Sequence, residues 1–253
     1  MKSNVKPSVL IFSRYGLNTE EETKFIFESV GAHADIMHIN DLIKKPSVFK
    51  HYQIAVLPGG FSYGDDTGGG KAYARKLTHH LGDALETFLN RDTLLAGICN
   101  GFQIATNADI LPGALISNKT PGYLCRWVDV EVVGNSPWLS GIERMSIPIA
   151  HGEGRYYDTE KNLDHLEASG AVALRYVQGG ISKHFSLPGN PNGSLRDIAG
   201  ITARDGRVIG MMPHPERAIR FTQEPHWTQK RTGEVKKEGD GVALFRNAVR
   251  YFA

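Results

Sequence analysis

The sequence predicts an α/β fold: a doubly wound, mostly parallel sheet with an antiparallel extension. Three observations carry that expectation. Short, wholly apolar runs of the kind that form strands buried on both faces recur along the first half of the chain. Amphipathic stretches with helix start and stop signals separate them. Past about Cys125 the pattern changes to apolar–polar alternation with a hairpin signal, the mark of antiparallel strands.

The first strand is SVLIF at 8–12. A helix follows in NTEEETKFIFESVGA, where Thr19 and Glu22 form a candidate capping box, acidic residues fill the first turn and Gly31 closes the end. ADIMHI and QIAVLP supply two more strands, 71–90 reads as a long helix, and LLAGI is the fourth strand, running into a helix that begins NGFQIATNA. Strands alternating with helices argue for a parallel sheet, whose chemistry collects beyond the carboxyl ends of its strands. Further on, RWVDVEVV places Val128, Val130 and Val132 opposite Asp129 and Glu131, a half-exposed strand. SIPIA, AVALRYV, DIAGIT and RVIGMM follow, with an Asp205-Gly206 turn between the last two. Residues 222–240 read as a solvated loop. A final helix carries Val242, Phe245, Val249 and Phe252 on one face. No linker or repeat divides the chain, so 1–253 is expected to be a single domain.

Composition narrows the function classes. A net charge of +2 over 253 residues gives no basic footprint for nucleic acid. No apolar run is long enough to span a bilayer, and the N-terminal apolar stretch is too short for a signal peptide. Two cysteines, Cys99 and Cys125, make no disulfide framework, and the cytoplasm is the expected compartment. Cys125 is expected to pack in its strand as a small hydrophobe.

Cys99 lies in Gly97-Ile98-Cys99-Asn100-Gly101, where a buried strand meets a helix. This is the nucleophile-elbow pattern with sulfur in place of oxygen. A small buried hydrophobe is the other reading of Cys99 taken alone. A thiol needs a base, and among ten histidines His214 stands apart. It ends a predicted strand within MMPHPERAI, where Pro213 and Pro215 hold the loop extended. Glu216, two residues on, can orient the imidazole as the acid of a triad does. His79 and His80 read as surface residues, and the remaining histidines outside HGEGRY have no motif around them.

The loop LPGGFSYGDDTGGGKA fails as a P-loop: with Gly70-Lys71 as the G-K pair, Asp65 stands where the first glycine belongs and Ala72 where the hydroxyl belongs. Its backbone N–H groups at Gly59 and Gly60, beside that of Asn100, suit an oxyanion hole instead. Any ATP chemistry must come from elsewhere.

Gly-Ile-Cys-Asn-Gly-Phe-Gln with Pro-His-Pro-Glu resembles the class I glutamine amidotransferases. PGGFSYGD, CRWV, PIAHGEGRY, NPNGSLRDIAGI and GRVIGMMPHPERA narrow the resemblance to the glutaminase subunits of phosphoribosylformylglycinamidine synthases, from near the N-terminus through Ala218. The resemblance implies a flavodoxin-like domain in which Cys99 is the nucleophile, His214 the base and then the acid, and Glu216 the orienting residue. It implies that Gly60 (or Gly59) and Asn100 bind the oxyanion, and that Gln103, His151 and Gly152 line the glutamine pocket. It further implies L-glutamine as substrate and no cofactor on this chain. ATP and magnesium would act on a partner synthetase subunit, accompanied by a small accessory subunit. A glutaminase for another synthetase, or a DJ-1-like cysteine hydrolase, is the alternative. One stretch departs from the small separate-chain members: DTGGGKAYA is nearer the glycine-rich version of the large fused enzymes.

Overall fold

The computed structural model describes residues 6–65, 67–229 and 238–253. In chain order the strands are β1 (Ser8–Ser13), β2 (His33–His38), β3 (Ile54–Leu57), β4 (Leu94–Ile98), β5 (Ala114–Ile116), β6 (Leu124–Val132), β7 (Arg144–His151), β8 (Arg155–Tyr157), β9 (Val172–Val177), β10 (Ile198–Ala203) and β11 (Val208–Met211). The α-helices are α1 (Glu20–Ser29), α2 (Ile39–Lys44), α3 (Lys71–Leu89), α4 (Asn100–Asn107), α5 (Glu160–Ala168), α6 (Gly180–His184) and α7 (Val242–Tyr251).

Nine strands form one sheet in the order β2-β1-β3-β4-β11-β10-β9-β6-β7, and β5 pairs with β8 in a small ribbon. From β2 to β11 the neighbours are parallel, and from β11 to β7 they are antiparallel. The β2-β1-β3-β4 order is that of a flavodoxin-like doubly wound sheet. β3, β4 and β11 are buried throughout, as apolar runs with both faces covered should be. α1 packs on α7 through an edge-to-face pair, Phe27 and Phe245, with ring centres 5.1 Å apart. Val242, Phe245 and Val249 of α7 are buried as expected. The β10–β11 hairpin turns through Asp205 (φ 57°) and Gly206 (φ 77°).

Three expectations are corrected. Thr19 precedes α1 but makes no capping bond with its side chain. Its Oγ1 accepts instead from Gly59 N–H at 2.9 Å, and Glu22 reaches Arg217 at 3.5 Å. Asp129 is buried rather than facing water, because its carboxylate accepts from Ser146 Oγ (2.8 Å) and from Ser182 N and Oγ (both 3.0 Å) at the start of α6. Cys125 is exposed. It pairs with Ala150 of β7, whereas β9 joins β6 only from Asp129 onward, so no third strand covers that end. In the loop at 222–240, residues 230–237 lie outside the described residues. Its described first part is a half-exposed turn.

Candidate active site

The carboxyl ends of β1, β3, β4 and β11 converge on one spot, beside the end of β7. Cys99 occupies the tight turn between β4 and α4 with φ 50° and ψ −106°, a left-handed backbone that a non-glycine residue adopts only under constraint. The constraint is visible on both sides. Cys99 N–H donates to Met211 O at 2.8 Å, and a side chain on Gly97 would meet the Gly101 carbonyl at 2.7 Å. One on Gly101 would run into the Leu57 carbonyl of β3. The glycines of the elbow are thus demanded by packing against β3 and α4. Cys99 is buried, and its Sγ lies 3.6 Å from Ala150 O of β7.

His214 follows β11 on the rigid loop between Pro213 and Pro215, and its N–H donates to Pro148 O at 2.8 Å. Its Nδ1 lies 2.6 Å from Glu216 Oε1, with both side chains buried. Burial of the ring opposes its charge. The Glu216 carboxylate and then the Cys99 sulfur favour it and prevail, pushing His214 up to about 10. The Nε2 atom has no hydrogen-bond partner among the described side chains, although the adjacent Cys99 sulfur favours its protonated form.

The other residues named from the sequence fall around this pair with distinct surroundings. The Gly59 N–H is occupied by Thr19 Oγ1, so of the two loop glycines only Gly60 remains a candidate donor to an oxyanion. Gly60 sits between two bonds to the loop after β1, Asn18 N–H to Gly59 O (2.9 Å) and Phe61 N–H to Gly16 O (2.8 Å). Asn100 opens α4, where a backbone N–H has no intrahelical acceptor. Its side chain accepts from Ser62 N–H at 3.0 Å and donates to Gln103 Oε1 at 2.6 Å. Gln103 in turn donates to Glu153 O at 2.6 Å, so both ends of its amide are engaged by protein.

His151 ends β7 and is buried. The Asn118 amide nitrogen donates to Gly122 O and to His151 O, at 2.9 and 3.0 Å, which makes Asn118 Oδ1 the acceptor for His151 Nδ1 at 3.1 Å. The proton is therefore on Nδ1, and Nε2 presents a lone pair with no partner among the described residues. Burial and then the neighbouring charge of His214 hold His151 neutral, down to about 3. Gly152 is half-buried, and its carbonyl accepts from Asn118 N–H at 3.0 Å.

Sequence reasoning missed Thr19, Asn118 and Glu153. Asn118 shapes the turn after β7 by binding three of its residues, since Gly154 N–H also donates to its Oδ1 at 3.2 Å. Glu153 accepts from Gly69 N–H at 2.8 Å and so ties that turn to the glycine-rich loop. Any side chain on Gly69 would collide with the Gln103 amide. HGEGRY was the available signal for Glu153. Nothing local marks Thr19 or Asn118, whose partners lie 40 and 33 residues away.

A flavodoxin-like sheet with this elbow at its carboxyl edge is the arrangement of a glutamine amidotransferase. The family model described as the CobB/CobQ-like glutamine amidotransferase domain matches residues 6–252. A relative in Methanococcus maripaludis, the phosphoribosylformylglycinamidine synthase subunit PurQ, is 42% identical over 267 residues, covering 98% of each chain. The protein of that name in Thermus thermophilus is 41% identical over 244 residues, covering 94% of this chain and 96% of its own. Among solved structures, PurLQS from Thermotoga maritima contains a chain 30% identical to this one with a TM-score of 0.75, covering 98% of this chain and all of that one. The chain belongs to the PurQ family of phosphoribosylformylglycinamidine synthase subunits.

Among the described residues no group of three or more His, Cys, Asp or Glu side chains could hold a metal ion. No described helix is long and apolar enough to cross a membrane.

Proposed function

We propose that this chain is the glutaminase subunit of a phosphoribosylformylglycinamidine synthase, hydrolysing L-glutamine and delivering ammonia to an ATP-dependent synthetase subunit. The single observation that carries the reading is the buried His214–Glu216 pair beside a cysteine held in the left-handed elbow.

In this reading Cys99 is the nucleophile. The thiolate is the attacking form of a cysteine, and the His214 imidazole stands beside it as the cation. The thiolate attacks the side-chain carbonyl carbon of glutamine, and the oxygen takes up negative charge between the N–H groups of Gly60 and Asn100. His214 gives its proton to the departing nitrogen, ammonia leaves and a γ-glutamyl thioester remains. His214, now neutral, takes a proton from water as that water attacks the thioester, releasing glutamate and restoring the thiolate–imidazolium pair. Glu216 keeps the ring oriented and its charge compensated throughout. Gln103, His151 and Gly152 border the glutamine pocket, where the bare His151 Nε2 is a neutral acceptor for a donor of the substrate. Gln103 shapes the wall through Asn100 and Glu153.

The ammonia is consumed on the partner. That subunit activates the amide of formylglycinamide ribonucleotide with ATP and magnesium, and ammonia displaces the activated oxygen to give the amidine. The PurLQS assembly of the Thermotoga relative supports a synthetase partner and a small third subunit for this chain as well. The same reading takes the complex to work in the cytoplasm, the compartment expected from the sequence.

The test compares the complex carrying Cys99→Ala with wild type, using glutamine and ammonium salt as nitrogen donors. Glutamine-dependent synthesis is expected to fall by more than about 10³-fold while ammonium-dependent synthesis is kept. Retained glutamine-dependent synthesis would reject the assignment.

A further inference from the structure

Thr19 is wholly buried where β1 gives way to α1, yet its hydroxyl does not serve its own helix. The Thr19 carbonyl does that, accepting from Thr23 N–H (3.1 Å) and Thr23 Oγ1 (2.7 Å). The hydroxyl oxygen accepts from Gly59 N–H, and the next residue back, Asn18, donates its N–H to Gly59 O at 2.9 Å. Residues 18 and 19 therefore grip both polar groups of Gly59.

The consequence falls on the following residue. The Gly59 carbonyl and the Gly60 N–H belong to one trans peptide plane and point in opposite directions. Fixing the carbonyl on Asn18 fixes the direction of the Gly60 N–H, and fixing the Gly59 N–H on Thr19 removes the remaining rotation of the segment. His214 packs on the same glycine: a Cβ there would lie 2.7 Å from His214 Cε1 and 3.2 Å from Thr19 Oγ1. Thr19, the 59–60 peptide and the catalytic imidazole thus form one stack.

We infer that Thr19 is a positioning residue that aims the Gly60 N–H at the developing oxyanion; the inference rests on the glutaminase reading above. Without the hydroxyl, Gly59 N–H is left buried with no acceptor. The 58–59 peptide then turns to find one, moving the Gly59 Cα and, against the single remaining bond from Asn18, the 59–60 peptide that carries the Gly60 donor. A residue that only stabilised the start of α1 would alter folding without selecting the chemical step.

The experiment measures glutamine hydrolysis by the assembled complex carrying Thr19→Val, which keeps the shape and removes the acceptor, or Thr19→Ser, which keeps the acceptor. Alkylation of Cys99 by iodoacetamide, which needs no oxyanion hole, is measured alongside. The expected result for Thr19→Val is a kcat lower by about 10- to 100-fold with KM within about twofold and an unchanged alkylation rate. Thr19→Ser is expected to restore most of kcat. Thr19→Ala replaces Thr19→Val as the acceptor-free variant if the latter does not assemble. A wild-type kcat without the acceptor, equal losses in Thr19→Ser, or a parallel fall in alkylation would each overturn the inference. A Cys99→Ala complex that still hydrolyses glutamine would instead defeat the glutaminase reading, whatever Thr19 does.

Discussion

Gly59→Ala tests the architecture of the site through a single methyl group. The added Cβ would lie 2.7 Å from His214 Cε1 and 3.3 Å from Nδ1, where ordinary contact begins at 3.4 Å. The ring is not free to retreat. Nδ1 is held 2.6 Å from Glu216 Oε1, and the main chain is tied to Pro148 O. The φ of Gly59 lies outside the left-handed region, so alanine brings no backbone strain of its own; the methyl also presses on Thr19 Oγ1 at 3.2 Å, a milder contact than that with Cε1. Relief requires about 0.7 Å of displacement between loop and imidazole, and misplacement on the order of 1 Å costs roughly 100-fold in rate. A fall in kcat of roughly 10- to 50-fold is therefore expected. The assay is steady-state glutamine hydrolysis in the assembled complex, with ammonium-dependent synthesis reporting on assembly. A kcat within twofold of wild type would refute the packing of His214 on this loop.

Glu216→Gln removes the carboxylate that favours the His214 cation, so kcat for glutamine is expected to fall by roughly 10²–10⁴-fold. Cys99 alkylation at neutral pH should slow in the same variant, and an unchanged rate would count against the orienting role. Cys125 is exposed, so the folded Cys99→Ala chain should take up one equivalent of a thiol reagent without denaturant; labelling only after unfolding would contradict the structure. Stability should also depend on pH in two opposing limbs. His214 is raised from 6.5 to about 10, so its contribution is complete below about 6.5 and is lost as pH rises toward 10. His151 is lowered to about 3, so its contribution is complete above about 6.5 and is lost as pH falls toward 3. Urea unfolding across this range should show His214→Asn flattening the alkaline limb and His151→Asn the acid limb; limbs untouched by these substitutions would rule the assignments out.

The sequence by itself determined the local decisions. Apolar runs with no polar partner face had to become strands buried on both sides, and their alternation with amphipathic stretches left a parallel sheet. Glycines around Cys99 and prolines around His214 restrict the backbone within a few residues, so the elbow and the rigid strand-end loop were legible where they stand. The His214–Glu216 bond spans two residues and was legible for the same reason.

What needed the tertiary structure was each contest between a local partner and a distant one. Thr19 has the position of a helix cap, but the buried Gly59 N–H arriving from β3 takes its hydroxyl. Asp129 alternates like a surface residue, yet the start of α6 closes over it with donors that offset its burial. Cys125 reads as a core position, and only strand pairing shows that β9 stops short of it. Gly59 and Gly60 are equivalent in sequence, and the fold separates them by giving one N–H to Thr19. These choices turn on contacts between segments tens of residues apart, which no periodicity or short motif encodes.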